Sequence, residues 1–338
     1  MAELTASPWR DRRTFVTGAG GLFGSALVRE LVDRDAEVVA LLRDRVAWSD
    51  IHRSDLEGRS TVVWGDITDI EAMTRAINEY ECSAVFHLAA QPIVGAASRD
   101  PVSSFESNVR GTWTVLEAAR RSGCVEALVF VSSDKAYGVQ EDLPYHEDDE
   151  LEGREVYEAT KVAAEAVCRP YVTTFGMRIG IARCGNLFGA GDLNWNRLVP
   201  GTIRSVLRDE PPVVRSDGTP VRDFFYARDA ARGLIVLWEA LGAGRHVGEA
   251  FNFSREEPST VLEMVREILT AAGRQDLEPV VLGGAKDEIP AQHLSSEKAR
   301  DLLGWRPAWS TQDALEQTVA WYRDLLRSTA DDEVARRG

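Results

Sequence analysis

Five short apolar runs punctuate the first half of the chain: FVTGA (15–19), VVALL (38–42), TVVWGD (61–66), AVFHLAA (84–90) and ALVFVSS (127–133). Each is continuous and rich in β-branched residues, the pattern of a parallel strand buried on both faces. Between them, SALVRELVDR, IEAMTRAINEY and FESNVRGTWTVLEAARRS repeat apolar residues at helical spacing. A further helix, VYEATKVAAEAVCRPYVTTF, leads into a sixth strand, GIARCGNLFG. Strand and helix alternating in this way predict an α/β fold, a Rossmann-type doubly wound parallel sheet. After about residue 187 the pattern loosens around PPVVRSDGTP, and TVLEMVREILTAAG and ALEQTVAWYRDLL read as short helices. The expected division is a dinucleotide-binding domain over 1–186 and a smaller mixed α/β substrate-binding lobe over 187–338, with 223–242 packing back on the first. The first ten residues and the tail STADDEVARRG are expected to fray.

Composition narrows the function. The formal net charge of -15 over 338 residues argues against a nucleic-acid partner, because phosphate backbones call for basic surface. No apolar run approaches the roughly 20 residues of a membrane helix. The opening MAELTASPWRDRR lacks the apolar core of an export signal. Cys82, Cys124, Cys168 and Cys184 are far apart, so they read as reduced thiols of a cytoplasmic protein and not as a disulfide frame or metal site.

TGAGGLFGS (17–25) follows the first strand and opens the first helix. Gly18, Gly21 and Gly24 suit a tight turn, close approach of backbone to a pyrophosphate, and close packing of helix on strand. With Leu22 and Phe23 they form a candidate cofactor turn, where helix-start amides face phosphate. Asp66 and Ile67 end the third strand, and Leu88, Ala89 and Ala90 end the fourth, both within reach of a dinucleotide. Arg43 stands where an NAD site usually carries an acidic residue, so NADP is open beside NAD; Asp44, one step on, could still hold a ribose hydroxyl.

The fifth strand ends in VSSDKAYG, and YEATK (157–161) begins the next helix. Tyr157 and Lys161 lie one turn apart on one face. A lysine cation there is expected to lower the pKa of the phenol. Tyr157 would then exchange a proton with a substrate hydroxyl while hydride moves to or from the same carbon, with Ser133 hydrogen-bonded to that oxygen.

These motifs, with FHLAAQ, SNVRGT, RCGNLFG, RLVP, RDFFY and LLGWRPAWS, resemble the extended short-chain dehydrogenase/reductase family, also called NAD-dependent epimerases/dehydratases. Within it, SSDK, FHLAAQPIV, GNLFGAGDLNWNRLVP and HLSSEKARDLLGWRP are most similar to the CDP-glucose 4,6-dehydratases. The resemblance implies that Asn108 props the lysine helix. It implies NAD as cofactor, a nucleotide-diphosphate sugar as substrate, and a homodimer through helices near 101–121 and 157–176. Dehydratases carry an acidic residue after the serine, where Asp134 stands, and Lys135 matches the CDP-glucose group. Asp134 would be the acid at C6. Lys135 would be a base at C5 or a stabiliser of the enolate. For the substrate, the resemblance implies Asn186, Arg197 and Arg222 at the diphosphate, Arg215 near the base, Glu288 at a ribose hydroxyl and Gln91 at the hexose. A 4-epimerase, and a dehydratase of GDP-mannose, a GDP-heptose or UDP-N-acetylglucosamine, remain as alternatives.

Overall fold

The computed structural model describes residues 7–284 and 289–335. Its main sheet is built from β1 (Arg13–Thr17), β2 (Glu37–Leu42), β3 (Thr61–Trp64), β4 (Ala84–His87), β5 (Ala127–Val131), β6 (Ile179–Cys184) and β7 (Ala250–Phe253). All seven strands run parallel in the order β7-β6-β5-β4-β1-β2-β3. The order reverses between β1 and β4, so a crevice opens beyond their carboxyl ends, where ligands bind in sheets of this kind.

Both faces are covered, which is why the strands read as unbroken apolar runs. On one face α1 (Leu22–Val32) packs beside the helix Ala227–Gly242, burying Leu27, Leu31, Leu234 and Leu237 against Val16, Phe86 and Val129. On the other, α2 (Ile70–Glu79), α3 (Gly111–Ser122) and α4 (Val156–Thr173) pack in sequence, burying Met73, Leu116 and Ala164 over Phe15, Val85 and Leu128. The expected helix 105–122 is broken: a π turn spans Glu106–Arg110 before α3 begins. Such widened turns recur at functional sites.

The remaining chain forms a second cluster, in which Ile203, Met264, Ile268, Leu315 and Tyr322 join the helices Leu198–Leu207, Val261–Ala272 and Thr311–Ala335. Short ribbons stitch it to the sheet: Asn186–Phe188 pairs with Phe224–Tyr226, and Val221–Arg222 pairs with Ser259–Thr260 and Ala291–Gln292. β7 had no sequence expectation; AFNF is four residues long and follows a loop, yet it completes the sheet edge.

Fraying of the first ten residues is overturned at Trp9. Its ring is buried against Phe86 and Trp238 with centroids 6.0 and 4.9 Å away, and its Nε1–H donates to Glu239. At the other end, the last helix runs into the expected tail as far as Ala335.

Candidate active site

The residues singled out in the first half of the sequence stand in a row along the carboxyl edge. Asp66 follows β3, Arg43 β2, Gly18 β1, Leu88 β4, Ser133 β5 and Asn186 β6. The order is spatial, because parallel strands bring successive βα turns to one edge.

At β1 the turn is fixed by contact. Gly18 has φ +72°, and a Cβ there would lie 2.8 Å from the Ala89 amide nitrogen. A Cβ on Gly24 would lie 2.0 Å from the Gly18 carbonyl oxygen, so α1 can approach β1 only without a side chain. Gly21 is exposed and caps α1 with no side-chain acceptor, so the first amides of the helix, at Leu22 and Phe23, have no side-chain cap. Uncapped helix-start amides attract anions. Leu88, Ala89 and Ala90 form a half-buried wall beside them. This turn and wall fit a dinucleotide pyrophosphate.

Further out, the exposed Arg43 donates through Nε to its neighbour Asp44 at 2.6 Å. Asp66 accepts from the Thr68 amide and hydroxyl, and these bonds hold its carboxyl below the usual range. Ile67 packs on α3, where a Gly111 Cβ would meet its Cδ1 at 2.4 Å. It therefore braces the helix as well as edging the crevice.

At the tip of β5, Ser133, Asp134, Tyr157 and Lys161 are all buried, with Lys135 half-buried. The Ser133 hydroxyl donates to Asp134 Oδ1 at 2.9 Å and accepts from the Lys135 amide at 3.2 Å. Asp134 Oδ2 has no partner, and burial pushes this carboxyl upward, towards the protonated form. Lys161 Nζ donates to the Val131 carbonyl at 2.9 Å and sits 5.9 Å from the Tyr157 ring centroid.

The expected lowering of the Tyr157 pKa by Lys161 is not what the structure shows. Burial pushes the phenol up to about 12, opposed by the hydrogen bond with Ser133. Burial also pushes Lys161 down to about 8. Desolvation outweighs attraction because both groups are sealed under the strand tip and the ammonium is turned to a carbonyl.

Asn108 braces α4 directly. Its Nδ2 donates to the Thr160 hydroxyl at 2.9 Å, and its Oδ1 accepts from the Gln91 amide at 2.6 Å. The Gln91 side chain folds over its own turn, with Oε1 accepting from the Ile93 amide.

The second half supplies the opposing wall. Asn186 Nδ2 is buried without a partner, a donor suited to a ligand oxygen. Arg197 already donates to Asp192 and to the Leu187 carbonyl, both at 2.7 Å. Arg222 donates to the Val221 carbonyl, and its charge acts on Asp134. Arg215 is exposed and donates to Asn196 at 3.3 Å. Glu288 lies outside the described residues.

Three residues at the site were passed over in the sequence. Gln292, fully buried, accepts from Lys135 Nζ and donates to the Asp134 carbonyl at 3.5 Å, reaching the tip of β5 from a ribbon in the second half of the chain. Its position immediately before HLSSEKARDLLGWRP offered no signal of its own. Asp223 is buried near enough to Asp134 for the two carboxyls to interact, and burial lifts it to about 7 although the Ser254 hydroxyl and the Leu294 and Arg255 amides pull the other way. His87 is buried in the row of strand tips. Both stand inside motifs already noted, RDFFY and FHLAAQ.

Comparison with known proteins agrees with this arrangement. Residues 14–254 match the NAD dependent epimerase/dehydratase family. The chain is 29% identical to the CDP-glucose 4,6-dehydratase of Salmonella typhimurium, covering 94% of this chain and 92% of that protein. Among solved structures it resembles a UDP-glucose 4-epimerase from Thermotoga maritima with UDP-glucose, at TM-score 0.84 and 26% identity over 93% of this chain and 99% of that one. It also resembles a dTDP-glucose 4,6-dehydratase from Streptomyces venezuelae with NAD bound, at TM-score 0.81 and 29% identity over 92% of this chain and 97% of that one. These relatives include dehydratases and epimerases alike. A family match across most of the length, on a sheet whose reversal point carries the glycine turn and whose fifth strand presents Ser133 to Tyr157, identifies the chain as a member of the NAD dependent epimerase/dehydratase family.

Proposed function

We propose that this chain is an NAD-dependent nucleotide-sugar 4,6-dehydratase, a hydro-lyase that converts CDP-glucose to CDP-4-keto-6-deoxyglucose. One observation carries the reading: a buried carboxyl at Asp134, pushed towards its protonated form, stands between Ser133 and Lys135 at the catalytic tip. Elimination needs an acid for the departing C6 hydroxyl, and a neutral buried carboxyl can be one. The CDP-glucose dehydratase relative supports the cytidine base.

Gly18, Gly21, Leu22, Phe23, Gly24 and Leu88–Ala90 would hold the dinucleotide, with Arg43, Asp66 and Ile67 towards its adenosine end. NAD, when bound, supplies the hydride acceptor at C4 and the donor that completes C6 after water has left. Tyr157, as the phenolate that the Ser133 hydrogen bond favours against burial, takes the C4 hydroxyl proton while Ser133 holds that oxygen. The C4 ketone acidifies C5, whose proton Lys135 takes and then returns to C5 as hydride reaches C6. Asp134 gives its proton to the C6 hydroxyl, which leaves as water. Asn186, Arg197 and Arg222 would bind the diphosphate, and Arg215, Glu288 and Gln91 extend the pocket. Val102, 71% exposed, with exposed Phe105, Trp113 and Phe175 supports a homodimer through the helices around them. The four unpaired, widely spaced cysteines support a cytoplasmic setting.

Incubation with CDP-, dTDP-, GDP- and UDP-hexoses, followed by the alkali-induced absorbance of a 4-keto sugar, tests the reading. CDP-glucose should yield keto product with no net NADH. Asp134→Asn should lose about a hundredfold or more in rate, the scale of a missing general acid. The second reading, a 4-epimerase, is favoured by the likeness to the Thermotoga enzyme. It requires epimerised product and Asp134→Asn turnover close to wild type.

A further inference from the structure

We propose that His87 and Thr112 are positioning residues, which lock the wall of the dinucleotide crevice to the first turn of the Tyr157 helix through one directed file of hydrogen bonds. The proposal rests on the reading of Tyr157 as the acid–base residue.

The direction of every proton in the file can be worked out. The Thr17 hydroxyl oxygen accepts from the amides of Leu88 and Ala89, both at 3.2 Å. Its own proton therefore goes to His87 Nδ1, 2.8 Å away. A ring that accepts at Nδ1 carries its proton on Nε2. That Nε2–H donates to the Thr112 hydroxyl at 3.1 Å, and Thr112 passes its proton to the Asn108 carbonyl at 2.6 Å. From the Asn108 side chain the file continues to the Thr160 hydroxyl at 2.9 Å and ends at the Tyr157 carbonyl, 2.6 Å from Thr160.

Thr17, His87, Asn108, Thr112 and Thr160 are all buried. Five polar side chains in a core are costly unless each is satisfied, and a satisfied set fixes one arrangement. Parallel pairing makes the file possible, since Thr17 and His87 are register partners and His87 in turn pairs with Phe130. The groups facing the imidazole are Thr17, Thr112, the Phe130 ring at 5.7 Å and the charge of Lys161. Burial, with the Lys161 charge acting the same way, pushes His87 down to about 3, so a neutral ring prevails in the working range. One end of the file touches Leu88 and Ala89, against which Gly18 packs; the other fixes the residue whose phenol exchanges the proton.

The test uses the full chain with NAD. In protein labelled with 15N-histidine, the signal lost in His87→Gln should be that of a neutral Nε2–H tautomer, unchanged between about pH 5 and 8. Thr112→Val should shift that signal, weaken NAD binding and lower kcat by about tenfold or more at similar hexose KM, the scale of a buried donor left unpaired. Thr112→Ser, which keeps the hydroxyl, should restore signal, NAD affinity and kcat together. A ring that titrates between those pH values, an Nδ1–H tautomer, or wild-type NAD affinity and kcat in Thr112→Val overturns the proposal. Tyr157→Phe serves as the reference for the functional reading. If it retains full turnover, or no hexose reacts, that reading fails, and the tautomer with the NAD affinities of Thr112→Val and Thr112→Ser still decides the file.

Discussion

Asp223 should make the protein less stable as pH rises from about 4 to about 7, and Asp223→Asn should remove that loss. The carboxyl is buried, and burial lifts its pKa from 3.8 to about 7 against the opposing pull of the Ser254 hydroxyl and the backbone amides of Leu294 and Arg255. In the unfolded chain the group ionises near 3.8, whereas in the native protein it holds its proton to about 7. Between these values the native state binds the extra proton, so stability falls with rising pH. The loss is absent below about pH 4 and complete above about pH 7. A shift of about three units at about 1.4 kcal/mol each amounts to about 4 kcal/mol, a large share of the stability of a domain. Denaturant unfolding of wild type and Asp223→Asn at pH 4, 5, 6, 7 and 8, at constant ionic strength, isolates this group because other carboxyls titrate in both proteins. The difference should swing towards the variant by about 4 kcal/mol between the acid and alkaline ends. Parallel stability curves would show that Asp223 ionises normally and would refute the argument from burial.

Two further outcomes follow from the same geometry. Gly24→Ala places a methyl 2.0 Å from the Gly18 oxygen and must push α1 off β1. A thermal melt and an NAD titration should show about 1–3 kcal/mol of lost stability and weakened binding, whereas Gly21→Ala, whose Cβ would meet its nearest atom at 3.5 Å, melts like wild type. Lys161, lowered to about 8 by burial, is a cation below that pH and neutral above it. The kcat–pH profile should therefore fall on the alkaline side from about pH 8, and a rate still rising at pH 9.5 would contradict a role for the cation.

The six regular strands and the glycine turn were legible because each is a local pattern: an apolar run, then a turn at which only glycine fits. Tyr157 and Lys161 were legible for the same reason, being one helical turn apart. Gln292 was not, because its meaning is its distance from Lys135 in the fold, and 157 residues separate the two in the chain. The electrostatics at Tyr157 misled because a sequence shows which charges are neighbours but not which are dry. Spacing suggested that Lys161 would lower the phenol pKa, while burial raised it. β7 was missed because a four-residue edge strand carries too little periodicity to stand out from a loop.

The late return of the chain to the first sheet also bears on how the protein can be divided. The helix Ala227–Gly242 and β7 are made after the chain has already entered the second hydrophobic cluster. A fragment cut near residue 186 would leave β6 with a bare edge and expose the apolar side of α1, inviting association with other copies. Exchanging substrate lobes between relatives therefore requires at least two junctions, and a chimera joined at a single point should be recovered as aggregate.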